Sequence, residues 1–300
     1  MAAEPPTFSV VVPTRGREAS LARCLRALAR LHYPRDLYEV IVVDDGSTTP
    51  PDSVVEEVAS RMSVRAIRQA HRGPAAARNA GVRRAKGRYL AFTDDDCMPT
   101  PSWLRAFADC FADGDVSAVG GHTRNVLRGN PCSAASQDLV DYLYSHYNNG
   151  NRATFLTSNN LAVRADVLMR VGLFDESFPL PAGEDREFVA RLVRQGYKAV
   201  YSPDAVVDHA HELGPRSFWR QHFRYGRGAF HFHRVNAESN GTRVRLERPR
   251  FYFELLRRPF DRADMDARLT AAALLGVSQI ANAAGYFFEK ATSALEDHQR

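Results

Sequence analysis

Apolar residues along this chain switch between two spacings. Phe8–Pro13 (FSVVVP) is a short β-branched run, and after it Leu21, Cys24, Leu25, Leu28 and Leu31 recur at helical intervals. The alternation then repeats. YEVIVVDDGS is an apolar strand ending in acids and a turn at Asp44–Ser47, and Val54, Val55 and Val58 mark a helix. Ser63–Ile67 reads as a strand, and GPAAARNAGVRRAKG is a run of helix formers that stops at Gly87 before the strand RYLAF. Continuous apolar strands separated by helices predict an α/β chain with a mostly parallel sheet flanked by helices.

The second half is less uniform. The stretch 120–160 reads as irregular and polar, with a helix near Ala134–His146. Asn159–Arg164 reads as a strand and Ala165–Val171 as a short helix ended by Gly172. Glu184–Gly196 predicts an amphipathic helix with Phe188, Leu192 and Val193 on one side and Gly196 as its cap. KAVYSPDAVVDHAH predicts two short strands ending in histidines, and the chain from Gly214 onward reads mainly as helix. The expected organisation is a catalytic domain over 1–213 and a helical extension over 214–300, with no internal repeat.

Composition narrows the partners. With 44% hydrophobic residues the chain can bury a sizeable core. A formal charge of +5 favours anionic partners, but no compact basic block interleaved with aromatics appears, which argues against nucleic acid. Cys24, Cys97, Cys110 and Cys132 make no C-x-x-C pair, so a zinc site is not expected. The N-terminus is neither basic nor followed by a long apolar run, and free thiols fit a reducing, cytoplasmic setting.

In open α/β sheets ligands bind beyond the carboxyl ends of the strands. Three polar clusters fall there: Pro13-Thr14-Arg15, Asp44-Asp45-Gly46-Ser47 and Asp94-Asp95-Asp96. Three adjacent carboxylates repel one another, which a hard divalent cation sharing oxygen ligands with substrate phosphates would relieve. Read alone, they also fit a solvated acidic loop that caps a helix before Trp103. Asp44-Asp45-Gly46-Ser47 fits either a base- or ribose-binding acid or an ordinary Asp-Gly turn. Glu184 and Asp185 open a helix, where carboxylates cap and meet the dipole; the functional alternative is a general base. His209 and His211, beside Asp208, fit either packed or exposed histidines or imidazole ligands of a transition metal such as Mn²⁺.

Together the segments VVVPTRGR, VIVVDDGSTT, GPAAARNAGVRRAKGRYLAFTDDDC, SNNLAVRADVLMRVGLFDESF, GEDREFVARLVRQGYKAVY and the final histidine resemble, in order, the family 2 glycosyltransferases, inverting enzymes of the Rossmann-like GT-A fold. The resemblance spans roughly Phe8–His211. It implies a nucleotide pocket lined by Pro13, Thr14, Arg15, Asp44, Asp45 and Arg78, with Asp94 and Asp95 near ribose and diphosphate. It further implies a divalent metal, Mn²⁺ or Mg²⁺, on Asp94, Asp96 and His209, with the acids that ligate it left open, and a catalytic base at Asp185 supported by Glu184. The partners implied are a nucleotide-sugar donor (UDP or GDP) and a carbohydrate or glycoconjugate acceptor.

Gln221-His222-Phe223-Arg224-Tyr225 resembles a degraded Q-x-x-R-W motif of processive members, in which Arg224 would reach the diphosphate; the simpler reading is a basic amphipathic helix. Leu269–Ala291 has roughly the length of a membrane span but carries Ser278, Gln279 and Asn282. It fits a helix packed on the domain, a homodimer interface, or peripheral contact with the inner face of a membrane, the last favoured by the arginines and aromatics of RVRLERPRFYFELLRRPF. Two other classes compete: a catalytically silent sugar-nucleotide-binding or assembly protein on the same fold, and a nucleotidyltransferase, for which PTRGREAS makes a poor phosphate loop.

Overall fold

The structure, a computed structural model, describes residues 8–148, 152–178, 182–240, 247–261 and 265–298. The N-terminal segment read for a leader, residues 243–246 (RVRL) at the start of the arginine-rich run and positions 149–151 of the irregular stretch lie outside them. The chain forms two compact units. The first comprises Met1–Arg124, Tyr147–Glu176 and Phe188–Ala210, and the second Asn125–His146, Ser177–Glu187 and His211–Arg300.

The first unit opens with β1 (Phe8–Thr14), α1 (Glu18–Leu28), β2 (Tyr38–Asp44), α2 (Asp52–Ala59), β3 (Ser63–Arg68), α3 (Pro74–Val82) and β4 (Tyr89–Thr93). It continues through β5 (Cys97–Pro99), α4 (Trp103–Phe111) and β6 (Val116–Asn125). After α5 (Pro131–Tyr147) come β7 (Asn160–Arg164), α6 (Ala165–Val171), α7 (Glu184–Arg194) and β8 (Lys198–His209). The eight strands lie in the order β3-β2-β1-β4-β7-β6-β8-β5. The β1–β2, β1–β4 and β2–β3 pairs are parallel, as the apolar strands predict, whereas β4–β7, β6–β7 and β5–β8 are antiparallel.

Alternation along β1 builds both faces. Phe8, Val10 and Val12 join Leu21, Leu25 and Leu28 of α1 and Trp103 and Phe107 of α4 in one core. Val11 and Val43 face the other way, where a Cβ on Gly81 would collide with Val11, so a glycine lets α3 close on that side. α3 stops at Val82, earlier than expected. Gly87 serves a different need: a Cβ there would strike the backbone of Ser9, whose hydroxyl accepts the Gly87 N–H at 2.8 Å.

Three strands depart from the sequence reading. β6 is a ten-residue strand, Val116–Asn125, whose second half from Gly120 runs through the stretch read as irregular chain. Its glycines mark close approach: a Cβ on Gly120 would strike Leu156, and one on Gly121 would meet the Ala205 carbonyl and the Asn160 amide. β8 is one continuous strand instead of two; it lies between β6 and β5, and β5 pairs only its last three residues, Val207–His209. β5 itself is too short to leave a periodic signature.

Asn160, fully buried, ties these strands together. Its Oδ1 accepts the Trp103 indole N–H at 2.8 Å, and its Nδ2 donates to the carbonyls of His122 (3.0 Å) and Ala205 (2.9 Å).

The second unit holds α5, α8 (Pro215–Asn240), α9 (Pro249–Arg257) and α10 (Met265–His298). α8 and α10 approach backbone to backbone: a Cβ on Gly226 would meet the Asn282 carbonyl, and one on Gly285 the Phe223 carbonyl. Glu289 of α10, buried, accepts from Arg227 and pairs with His231 Nε2 at 2.6 Å, both on α8. Burial would raise the Glu289 carboxyl, but these two partners hold it below the ordinary value. Leu139 and Tyr142 of α5, Phe251 and Leu255 of α9 and Leu275 of α10 form a small core. Met265–Leu295 is long and apolar enough to cross a membrane, by length and composition, and its outer face exposes Leu269, Ile280 and Phe287.

Asn160→Ala leaves a buried indole N–H and two carbonyls without their partner. Each buried polar group left unmet costs about 1–3 kcal/mol. The expected outcome is a loss of roughly 3 kcal/mol or more in unfolding free energy, read as a lower urea midpoint at unchanged slope.

Candidate active site

Parallel register aligns the strand ends. Thr14, last in β1, pairs with Asp44, last in β2, and Pro13 pairs with Val43. The ladder extends one step further, with the Asp45 N–H on the Thr14 carbonyl at 2.9 Å. β4 lies on the other side of β1 and ends at Thr93, so Asp94, Asp95 and Asp96 leave the sheet at the same edge. β5 then pairs Cys97 with His209, and the Ala210 N–H bonds the Asp96 carbonyl at 3.1 Å. That register sets His209 beside Asp96, with Nε2 3.4 Å from Oδ1.

The three acids have different partners. Asp95 is fully buried; its Oδ2 accepts Thr14 Oγ1 at 2.7 Å and Arg17 Nε at 3.1 Å, and its Oδ1 lies 2.5 Å from Arg17 NH2. Burial pushes the Asp95 carboxyl up to about 6; Arg17 and Thr14 oppose the shift, and Asp96 and Asp94 add to it. Asp96, nearly buried, takes Arg17 NH1 on Oδ2 at 2.8 Å and faces His209 with Oδ1. Asp94 is partly exposed and pairs with the buried Arg78, NH2 to Oδ1 at 2.8 Å. For Arg17, burial lowers the affinity for its proton, yet the three acids outweigh it and the guanidinium is held above its ordinary value.

Asp45 organises a loop. Its Oδ1 accepts Gln69 Nε2 (2.8 Å) and the Arg72 N–H (2.9 Å), and its Oδ2 accepts the Gly73 N–H (2.9 Å) and pairs with His71 Nδ1 (2.8 Å). Burial would raise this carboxyl, but the donors from Gln69, Arg72, His71 and Gly73 hold it below the ordinary 3.8. Arg15 points to the far side of the same loop, NH1 to His71 Nε2 at 2.9 Å. Because Arg15 can only donate, His71 there accepts on Nε2 and carries its proton on Nδ1, toward Asp45. Asp44, buried, accepts the Ser47 N–H at 2.9 Å and lies 3.3 Å from Arg68.

Glu184, Asp185 and Arg224 belong to the second unit. Gly183, at φ +94°, starts the turn into α7, and its carbonyl accepts the Glu187 N–H at 2.9 Å. Glu184 is buried; Asp185 is partly buried and its Oδ1 accepts the Arg186 N–H at 2.7 Å. On α8, Gln221 donates to Ser136 at 3.0 Å, Arg224 is exposed, and His222 is fully buried. Burial pushes His222 down to about 4. The His211 carbonyl accepts Ser133 Oγ at 2.7 Å in the same unit.

The first unit thus brings Thr14, Asp44, Asp45, Arg78, Asp94–Asp96 and His209 to one sheet edge. Arg17, Gln69 and His71 join them without a sequence signal strong enough to single them out. The second arginine of PTRGR and the polar run QAHRG after β3 were the available hints. A carboxylate oxygen and an imidazole nitrogen converging on one small volume form a donor set that fits Mn²⁺.

The mixed sheet flanked by helices, with acids at its carboxyl edge, has the GT-A architecture. The sequence-family model for glycosyl transferase family 2 matches residues 9–175, and the chain belongs to that family. Glycosyltransferase AglE of Haloferax volcanii is 30% identical over 230 residues, covering 74% of this chain and 73% of that protein. A pre-mycofactocin glycosyltransferase of Mycobacterium tuberculosis is 30% identical over 232 residues, but these cover only 46% of its length. Among solved structures, a mannosyltransferase from Pyrobaculum calidifontis, in complex with GDP-Man and Mn²⁺, matches over 98% of this chain and 81% of its own, with TM-score 0.64 and 24% identity. The chain is therefore a glycosyltransferase and not a nucleotidyltransferase.

A carboxylate whose folded value is depressed adds stability above its unfolded value, which is lost as pH falls through the folded one. Asp45 is such a group, so wild-type stability should fall below about pH 4, whereas Asp45→Asn, less stable at pH 7, should show a shallower acid limb. Thermal unfolding from pH 7 to pH 2.5 checks this; parallel curves would contradict it.

Proposed function

We propose that the chain is an inverting transferase that moves a sugar from a nucleoside-diphosphate donor to an acceptor hydroxyl on a carbohydrate or glycoconjugate. The observation that carries this reading is the shared edge on which Asp44, Asp45, Asp94, Asp96 and His209 lie. Similar proteins support the donor class: the Pyrobaculum mannosyltransferase was solved with GDP-Man and Mn²⁺, and Staphylococcus aureus TarS with UDP-GlcNAc.

Pro13, Thr14 and Arg15 line the nucleotide side. Asp45 serves base recognition by holding the Gln69–Gly73 loop, since each of its oxygens already has two partners. Asp94, with Arg78 behind it, faces ribose and diphosphate. Asp96 and His209 would hold the divalent cation, with Asp94 as a further candidate ligand; the cation would supply Lewis-acid stabilisation of the charge on the departing diphosphate. Asp185, at the start of α7, takes the acceptor hydroxyl proton. As it does, the acceptor oxygen bonds to the anomeric carbon and the bond from that carbon to the diphosphate oxygen breaks on the opposite face, which inverts the centre. Glu184 supports acceptor binding. Arg224, assigned by its motif, adds positive charge for the diphosphate.

General-base assistance contributes about 10²–10⁴-fold. Asp185→Asn should therefore lower transfer or donor hydrolysis by that factor while nucleoside-diphosphate binding, followed by calorimetry with Mn²⁺, stays within about threefold of wild type. Full turnover in Asp185→Asn would end the base assignment.

A further inference from the structure

We propose that Arg17 is a positioning residue that sorts the three acids, committing Asp95 to structure and aiming Asp96 at the cation. The inference rests on the metal reading above. The P-T-R-G-R turn makes the geometry. Gly16 adopts φ +63°, a conformation a side chain disfavours, and its N–H is held by Ser47 Oγ at 2.7 Å. This reversal sends Arg15 toward His71 and places Arg17, at the N-cap of α1, over the acids.

The guanidinium spans both carboxylates at once. Nε and NH2 engage the two oxygens of Asp95, and NH1 takes Oδ2 of Asp96. With Oδ2 held by Arg17, the rotation of the Asp96 carboxylate is set and Oδ1 faces His209 Nε2 at 3.4 Å, beside the Cys97 thiol at 3.8 Å. Asp95 is fully buried, and Thr14 and Arg17 are the partners that meet it. Asp94 is set apart by Arg78. The planar fork fixes both carboxylates in one geometry, which a lysine ammonium, a point charge on a flexible stem, does not reproduce.

Partners that orient a metal ligand typically change metal affinity by about 10–100-fold when removed. In calorimetry with Mn²⁺ as the sole ligand, Arg17→Gln and Arg17→Lys should each weaken binding by roughly that factor, although lysine keeps the charge. Arg17→Gln should add nothing once Asp96 is Asn, because it acts through that carboxylate. If Arg17→Gln alone fails to fold, Arg17→Gln/Asp95→Asn removes the buried charge as well and should show the same weakened binding. Unchanged or tighter Mn²⁺ binding in Arg17→Gln, wild-type binding in Arg17→Lys, or additive losses with Asp96→Asn would overturn the proposal. Wild type that binds no Mn²⁺, or binds it undiminished after Asp96→Asn, would instead overturn the metal reading and this inference with it.

Discussion

Three consecutive carboxylates leaving the end of a buried strand repel one another, and the arrangement around them answers that repulsion. At 4 Å and an effective dielectric of about 20, two like charges cost roughly 4 kcal/mol. Arg17 spans Asp95 and Asp96, Arg78 pairs with Asp94, and Thr14 donates to Asp95 from the neighbouring strand. Two cations against three acids leave an excess of negative charge. Under the proposed function that excess would attract a divalent ion, and the ion's own charge would in turn favour a diphosphate.

The sheet supplies the precision. Each acid follows a strand whose register is locked by flanking strands, so a side chain at the edge inherits the position of a buried ladder. His209 reaches Asp96 only because β8 runs unbroken to its end and β5 pairs with it over three residues. That run depends in turn on Asn160, whose amide links α4, β6 and β8, and on Gly121, which leaves room for the Ala205 carbonyl. The antiparallel half is thus the part of the fold that assembles the imidazole with the carboxylates.

The parallel half was legible in the sequence because buried strands such as VVVP and VIVV cannot be mistaken for solvated chain, and acids directly after them mark the ligand edge. β6 was not legible, since glycines chosen for close approach mimic a loop. β5 was hidden by its length, and β8 by a Ser-Pro-Asp step that looks like a turn. Among the site residues, acids announce themselves by clustering. Arg17 and His71 do not, because their roles come from which way a single turn sends a side chain. Arg15 and Arg17 look interchangeable in PTRGR until Gly16 separates them.

The proposed function puts one divalent ion between Asp96 and His209 at this edge. Crystals soaked in Mn²⁺ with a nucleoside diphosphate, measured near the manganese absorption edge, test it directly. A single anomalous peak bonded to Asp96 Oδ1 and His209 Nε2 is the expected result. A peak elsewhere, or bound nucleotide with no peak between these two residues, would contradict the account.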